Sequence, residues 1–211
     1  MVKTIIFDFW GTLVENGVWS PTKQVRNILN IKVPFSEYVI RMEKAMMTRP
    51  FDTLKEAFES VCKEFAIEPS NEQMDELIGL WNKSWMLAKP YPETGVVLER
   101  LKSRYKLILV SNTDSISIPK VLEKFDIGKY FEKTFLSFEL NRIKTDDDFL
   151  RIVLNEIGQD VKDCVLIGDS LESDMAAAKK IGLKAILVDR RGTRDFDPKI
   201  NNLKDLNNKL L

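Results

Sequence analysis

Two aspartates five residues apart, in the run Leu166-Ile167-Gly168-Asp169-Ser170-Leu171-Glu172-Ser173-Asp174, are placed to share one ligand. The first closes an apolar run and the second enters a helical pattern, so both carboxylates can face one crevice. Paired carboxylates in a crevice suit a hard, oxygen-seeking cation such as Mg²⁺. A third acid, in Phe7-Asp8-Phe9-Trp10-Gly11-Thr12, closes another apolar run ahead of a Gly-Thr turn. Open α/β sheets bind ligands at the carboxyl ends of their strands, which is where Asp8 falls. Ser111, in Val110-Ser111-Asn112-Thr113, offers a hydroxyl that could donate to an anionic oxygen. Lys144, in Arg142-Ile143-Lys144-Thr145, offers a point charge for a phosphate or a carboxylate. Each piece alone has a bland reading as well: a strand-ending acid, a Ser-Asn turn, a solvated lysine, a charge at a helix start.

These residues need elements to hold them. Continuous apolar runs at 4–9, 106–111, 163–168 and 184–188 read as strands buried on both faces, with a weaker candidate at 134–137. Helical patterns at 94–104, 118–125, 146–157 and 171–181 alternate with them. That alternation predicts a doubly wound, Rossmann-like α/β domain with a parallel sheet. The segment from about 20 to 88 contains no strand pattern and reads as four inserted helices. Ser20-Pro21 marks a cap followed by proline at the first helical position, and Thr53 to Glu56 and Ser70 to Gln73 read as capping boxes. Phe58, Phe65, Trp81 and Trp85 fall at helical spacing and read as packing residues. The expected division is a core of residues 1–15 and 91–211 with a small all-helical domain at 16–90.

Asp, Ser, Lys and Asp thus follow in order on one edge of one sheet. This arrangement resembles the haloacid dehalogenase-like superfamily, and the resemblance covers the whole chain, with the helical insertion in the position of that family's small cap domain. It implies that Asp8 is a covalent nucleophile and that Ser111 and Lys144 bind the transferring group. It also implies Mg²⁺ held by Asp8, the carbonyl of Trp10 and Asp169, with Asp174 supporting the metal site. Thr12 and Asn112 join Ser111 and Lys144 as candidate substrate-binding residues, with Arg41 and Arg49 on the second inserted helix as further candidates.

One position departs from the pattern. Phosphatases of the superfamily carry a second aspartate two residues after the nucleophile, to protonate the leaving alkoxide and activate water. Here that residue is Trp10, which has no titratable group. The 2-haloacid dehalogenases carry tyrosine there, and a halide leaves without a proton. They use no metal, however, and have uncharged residues where this chain has Asp169. Two carboxylates with one lysine between them repel, and a bound cation relieves that repulsion. The expected activity is therefore a phosphomonoesterase, slow and favouring good leaving groups, with a dehalogenase or a phospho-ligand-binding protein as alternatives.

Composition narrows the field further. With no histidine, Ser-His and Cys-His catalysis and His-ligated zinc are excluded. A net charge of zero gives no electrostatic case for nucleic acid or an acidic membrane surface. Cys62 and Cys164 lie in apolar stretches and read as buried core residues. No stretch approaches the ~20 apolar residues of a membrane span, and the N-terminal run is too short for a signal peptide. The expected protein is cytoplasmic, a monomer or homodimer, acting on a small phosphorylated or otherwise anionic substrate.

Overall fold

The computed structural model describes residues 2–206 and 209. Residues 1, 207, 208, 210 and 211, which the sequence assigns to the core, lie outside the described residues. The strands are β1 (Thr4–Phe7), β2 (Val14–Glu15), β3 (Lys89–Pro90), β4 (Lys106–Ser111), β5 (Lys133–Leu136), β6 (Cys164–Gly168), β7 (Lys184–Val188) and β8 (Lys199–Ile200). Six form one sheet in the order β5-β4-β1-β6-β7-β8, with every neighbouring pair parallel. The fold is a doubly wound, Rossmann-like α/β sheet.

Successive strand residues point to opposite faces, so a continuous apolar run can build two cores at once. Ile5 and Phe7 join Leu107, Leu109, Val165 and Ile167 on one face. Ile6 joins Ile108, Val110 and Leu166 on the other.

The helices are α1 (Pro21–Ile28), α2 (Phe35–Met47), α3 (Leu54–Glu64), α4 (Asn71–Met86), α5 (Thr94–Lys102), α6 (Ser117–Phe125), the single turn α7 (Ser137–Leu140), α8 (Phe149–Glu156) and α9 (Ala176–Ile181). Val97 and Leu98 of α5 and Ile118 of α6 cover the first sheet face. Phe149 and Val153 of α8 and Ala177 of α9 cover the second. Helices α1–α4 form the insertion between β2 and β3 and share a cluster of their own around Tyr38, Met42, Met46, Phe58 and Leu77. β2 and β3 pair antiparallel where the chain leaves and re-enters the sheet region. Cys62 and Cys164 are both buried and unpaired. No helix among the described residues is long and apolar enough to cross a membrane.

Several local expectations need correction. β1 stops at Phe7, because the chain turns there to deliver Asp8. The two-residue strands β2, β3 and β8 are too short to leave a periodic signal. Ser20 does not cap α1: its φ of 43° is left-handed, whereas a capping side chain needs extended backbone to reach the first free amides. At Thr53 the box is half formed. Its side chain accepts from the Glu56 amide, but the Glu56 carboxylate reaches the Asp52 amide instead. Ser70 and Gln73 form the complete reciprocal box. The helix expected over 171–181 begins as a π-helical turn, Leu171–Met175, in which the Met175 amide bonds the Ser170 carbonyl at 3.0 Å.

Candidate active site

Asp8, Ser111 and Asp169 stand at the carboxyl ends of β1, β4 and β6, on the edge of the sheet that faces the insertion. Between sheet and insertion lies a cavity of about 510 Å³. Asp8 is buried. One of its oxygens accepts from Thr12 Oγ1 at 2.9 Å and the other is paired with Lys144. The Lys144 ammonium, also buried, reaches Asp174 Oδ1 at 2.7 Å. Asp174 is turned inward by the π-helical turn, where its second oxygen accepts from the Ser170 amide at 3.1 Å.

Asp8, Asp169 and Asp174 each place a carboxylate oxygen within 4.8 Å of the others. Burial pushes Asp8 up to about 6; Lys144 opposes this and Asp174 adds to it. Burial and the negative charges of Asp8 and Asp174 hold Asp169 well above the usual carboxylate range. Burial acts to discharge Lys144, but Asp174 and Asp8 outweigh it and keep the ammonium charged. Three acids against two cations, Lys144 and Arg194, leave the cluster short of positive charge, and the donors are all hard oxygens. A divalent cation such as Mg²⁺ matches both features.

Two glycines permit this crowding. A Cβ on Gly11, whose φ is +77°, would lie 2.3 Å from Asp169 Oδ2. A Cβ on Gly168 would lie 2.3 Å from Asp174 Cγ. The backbone must run that close to the acids, so only glycine fits.

The remaining expected residues divide. Thr12 is buried and its hydroxyl is spent on Asp8, so it orients the carboxylate rather than lining the cavity. Ser111 is fully buried one layer back, its Oγ making only a 3.4 Å contact with the Asn112 carbonyl. Asn112 lines the cavity and is a junction: its Oδ1 accepts from the Lys144 amide at 2.9 Å, and its Nδ2 donates to Glu43 at 2.7 Å and to Ser173 at 3.0 Å. Trp10 lines the cavity with its indole N–H bonded to Thr113 Oγ1 at 3.1 Å.

Arg41 and Arg49 are not brought to the cavity. Arg41 is held on the outer side of α2 by Glu37 and Glu64, at 3.0 and 2.7 Å. Arg49 is exposed and stacks on Phe51. Both have better partners than an empty cleft, and these partners decide where the side chains lie.

Among the cavity residues that sequence reasoning missed, two carry charge next to the acids. Glu43 enters from α2, and Arg194, from the loop after β7, donates to the Asp169 carbonyl. Neither belongs to a motif: one is a single acid on an amphipathic helix, the other a basic residue in a Gly-Thr-Arg loop. Trp81 and Trp85, read as packing residues, also line the cavity. Trp81 does both jobs, meeting Phe58 edge-on at 5.7 Å and donating to Asp114 at 2.9 Å.

Residues 2–182 match the family model for haloacid dehalogenase-like hydrolases. The chain belongs to that family, and it is a hydrolase of that type. It is 24% identical over 197 residues to a glyceraldehyde 3-phosphate phosphatase of Methanothermobacter thermautotrophicus, covering 89% of this chain and 86% of the relative. Among solved structures it resembles a 2-haloacid dehalogenase from Pseudomonas syringae, with TM-score 0.65, 19% identity and coverage of 100% and 98% of the two chains. It also resembles a family enzyme from Bacteroides thetaiotaomicron in complex with magnesium and inorganic phosphate, with TM-score 0.60, 21% identity and coverage of 93% and 98%. At these identities the structural likenesses establish the fold.

Proposed function

We propose that the protein is a Mg²⁺-dependent phosphomonoesterase acting on a small phosphorylated metabolite. The observation that carries this reading is the convergence of Asp8, Asp169 and Asp174 within 4.8 Å, with Lys144 paired to Asp8 and Asp174. Asp8 attacks phosphorus and forms an aspartyl-phosphate; Thr12 fixes the orientation of its carboxylate. Lys144 neutralises the phosphoryl oxygens, while Ser111, buried one layer back, supports the strand end behind them. Asp8, Asp169 and the Trp10 carbonyl would hold the metal, with Asp174 fixing Lys144 beside it. Bound there, Mg²⁺ supplies positive charge to the phosphoryl group and lifts the repulsion among the acids. The helical insertion acts as a cap that closes the cavity over substrate. The phosphatase name of the archaeal relative supports the same substrate class.

The dehalogenase alternative needs an arginine from the helical insertion to hold a substrate carboxylate. Arg41 and Arg49 both lie away from it, and Asp169 occupies a position that such enzymes keep uncharged.

Turnover of p-nitrophenyl phosphate, measured with Mg²⁺ and again with a chelator, tests the reading. Activity should require the metal, and Asp8→Asn should fall to background. Equal rates with chelator would remove the metal from the mechanism. Halide release from 2-haloacids without metal would replace phosphatase by dehalogenase. Tight Mg²⁺-dependent binding of a phosphorylated metabolite, with no trapped aspartyl-phosphate, would leave a binding protein on a catalytic scaffold.

A further inference from the structure

A phosphomonoesterase of this kind needs a proton for the leaving oxygen and a base for the water that follows, and the loop after β1 provides neither. Trp10 stands two residues past Asp8 with its indole N–H committed to Thr113. We propose that Glu43 of α2, reaching into the cavity from the helical insertion, is the general acid and base of the reaction. The proposal rests on the phosphatase reading above.

Position singles this residue out. In-line displacement sets the leaving oxygen on the far side of phosphorus from the attacking Asp8 oxygen. Asp8 belongs to the sheet, so the leaving group faces the insertion. Of the insertion residues that line the cavity, Glu43 is the one carboxyl group.

The other titratable groups on the wall are committed or lie on the wrong side. Asp114 accepts from the amides of Ile116 and Ser117 at 2.9 and 2.8 Å and from Trp81 Nε1. Lys144 and Asp174 are bound to each other. Glu172 sits on the turn of Asp174, on the sheet side, and accepts from Ser170 Oγ at 3.4 Å. Lys23 carries its ammonium over the rings of Trp19 and Phe35.

Glu43 makes one hydrogen bond, from Asn112 Nδ2 at 2.7 Å, which fixes the carboxyl against the segment that carries Lys144. Among the described residues its second oxygen has no hydrogen-bond partner, and Glu43 lines the cavity.

The surroundings keep the proton on Glu43 near neutrality. Burial raises its pKa, Lys144 and the Asn112 amide lower it, and Asp174 and Asp8 raise it, to about 7 in all. On α2 itself Arg41 is taken by Glu37 and Glu64, and Lys44 by Asp146. Helix α3, packed along α2, contributes apolar Ala57, Phe58 and Val61 to their shared cluster. A group near the working pH can both give and take a proton.

The proton accounting closes. As the bond from Asp8 to phosphorus forms and the ester P–O bond breaks, the Glu43 carboxyl gives its proton to the leaving oxygen, which departs as the alcohol. The Glu43 carboxylate then takes a proton from the water that attacks the aspartyl-phosphate. Asp8 and inorganic phosphate are released and Glu43 is an acid again.

Glu43→Gln tests this, because glutamine keeps an oxygen for Asn112 Nδ2 and has no proton to transfer. Wild type and variant are compared on an alkyl phosphate and on p-nitrophenyl phosphate, whose leaving group needs little proton help. The alkyl kcat/KM should fall ~10²–10⁴-fold, and the first-turnover burst of nitrophenol much less. Aspartyl-phosphate should accumulate, and the alkaline limb near pH 7 in the wild-type profile should vanish. Glu43→Asp, which retains a carboxyl, should recover part of the alkyl rate. Equal losses on both substrates, or no loss on either, would overturn the proposal while leaving the phosphatase intact. Wild-type protein without Asp8-dependent turnover of either phosphate would overturn both readings together.

Discussion

At the scale of single residues, the site is a problem of charge. Asp8, Asp169, Asp174 and Glu43 line one cavity with Lys144 and Arg194, and burial raises Asp8, Asp169 and Glu43 above their ordinary range. A carboxyl whose pKa is raised by folding holds its proton more tightly in the native state. The stability linked to it is complete below the unfolded value near 4.5 and is lost as pH rises through about 7. Glu43→Gln removes that loss. The melting temperature of the variant should match wild type at pH 4 and exceed it increasingly up to pH 7, then stay above it by a constant few degrees. Thermal melts across that range check the sign. An increment that is constant from pH 4 to 8 would show that Glu43 does not titrate in this window.

Elements turn these residues toward one another, and the loop and turn after β6 show how. Gly168 lets the backbone pass against Asp174, and the π-helical turn swings that carboxylate onto Lys144. Gly168→Ala places a methyl group into Asp174 and should cost about 1–3 kcal/mol of stability. It should also abolish phosphate turnover, because Lys144 loses one of its two anchors. Gly79, on α4 with nothing within 4 Å of its absent Cβ, is the control. Gly79→Ala should stabilise the protein by roughly 0.5–1 kcal/mol and leave turnover unchanged. Denaturant melts and steady-state assays on the pair separate crowding at the site from a general effect of added side chains.

On the scale of the whole molecule, the insertion and the sheet domain meet through apolar packing at Trp85 and through polar contacts. Glu43 meets Asn112, Trp81 meets Asp114, Lys44 meets Asp146 at 2.7 Å, and the Phe51 amide meets Ser115. Asn112 and Asp114 follow β4, so the strand that ends in Ser111 also carries the seam. A cation bound on the sheet side stabilises the fold by mass action, by about 2.7 kcal/mol at one hundred times its dissociation constant. For a chain of this size that is a rise of roughly 5–10 °C in melting temperature. Mg²⁺ should produce such a rise in wild type and none in Asp169→Asn. The metal-free variant should itself melt above metal-free wild type, since one of the repelling charges is gone. Equal Mg²⁺ increments in the two proteins would place the cation elsewhere.

The sequence by itself determined the elements and the chemistry at their ends. Apolar runs such as Leu107 to Val110 have no soluble alternative to burial between two helical layers, and the acids and serine that close these segments mark one edge of the sheet. Local turn chemistry was partly readable: Ser70 and Gln73 satisfy each other within four residues, whereas the left-handed backbone at Ser20, which leaves it without a capping bond, has no signature in its residue type. What only the tertiary structure decided is which side chains outside the motifs reach the cavity. Arg41 and Glu43 lie two residues apart on α2, and nothing in their spacing says which faces inward. Glu37 and Glu64 hold the arginine outside, and Asn112, 69 residues further on, receives the glutamate. The choice depends on partners distant in the chain, because a charged side chain settles wherever its charge is best matched.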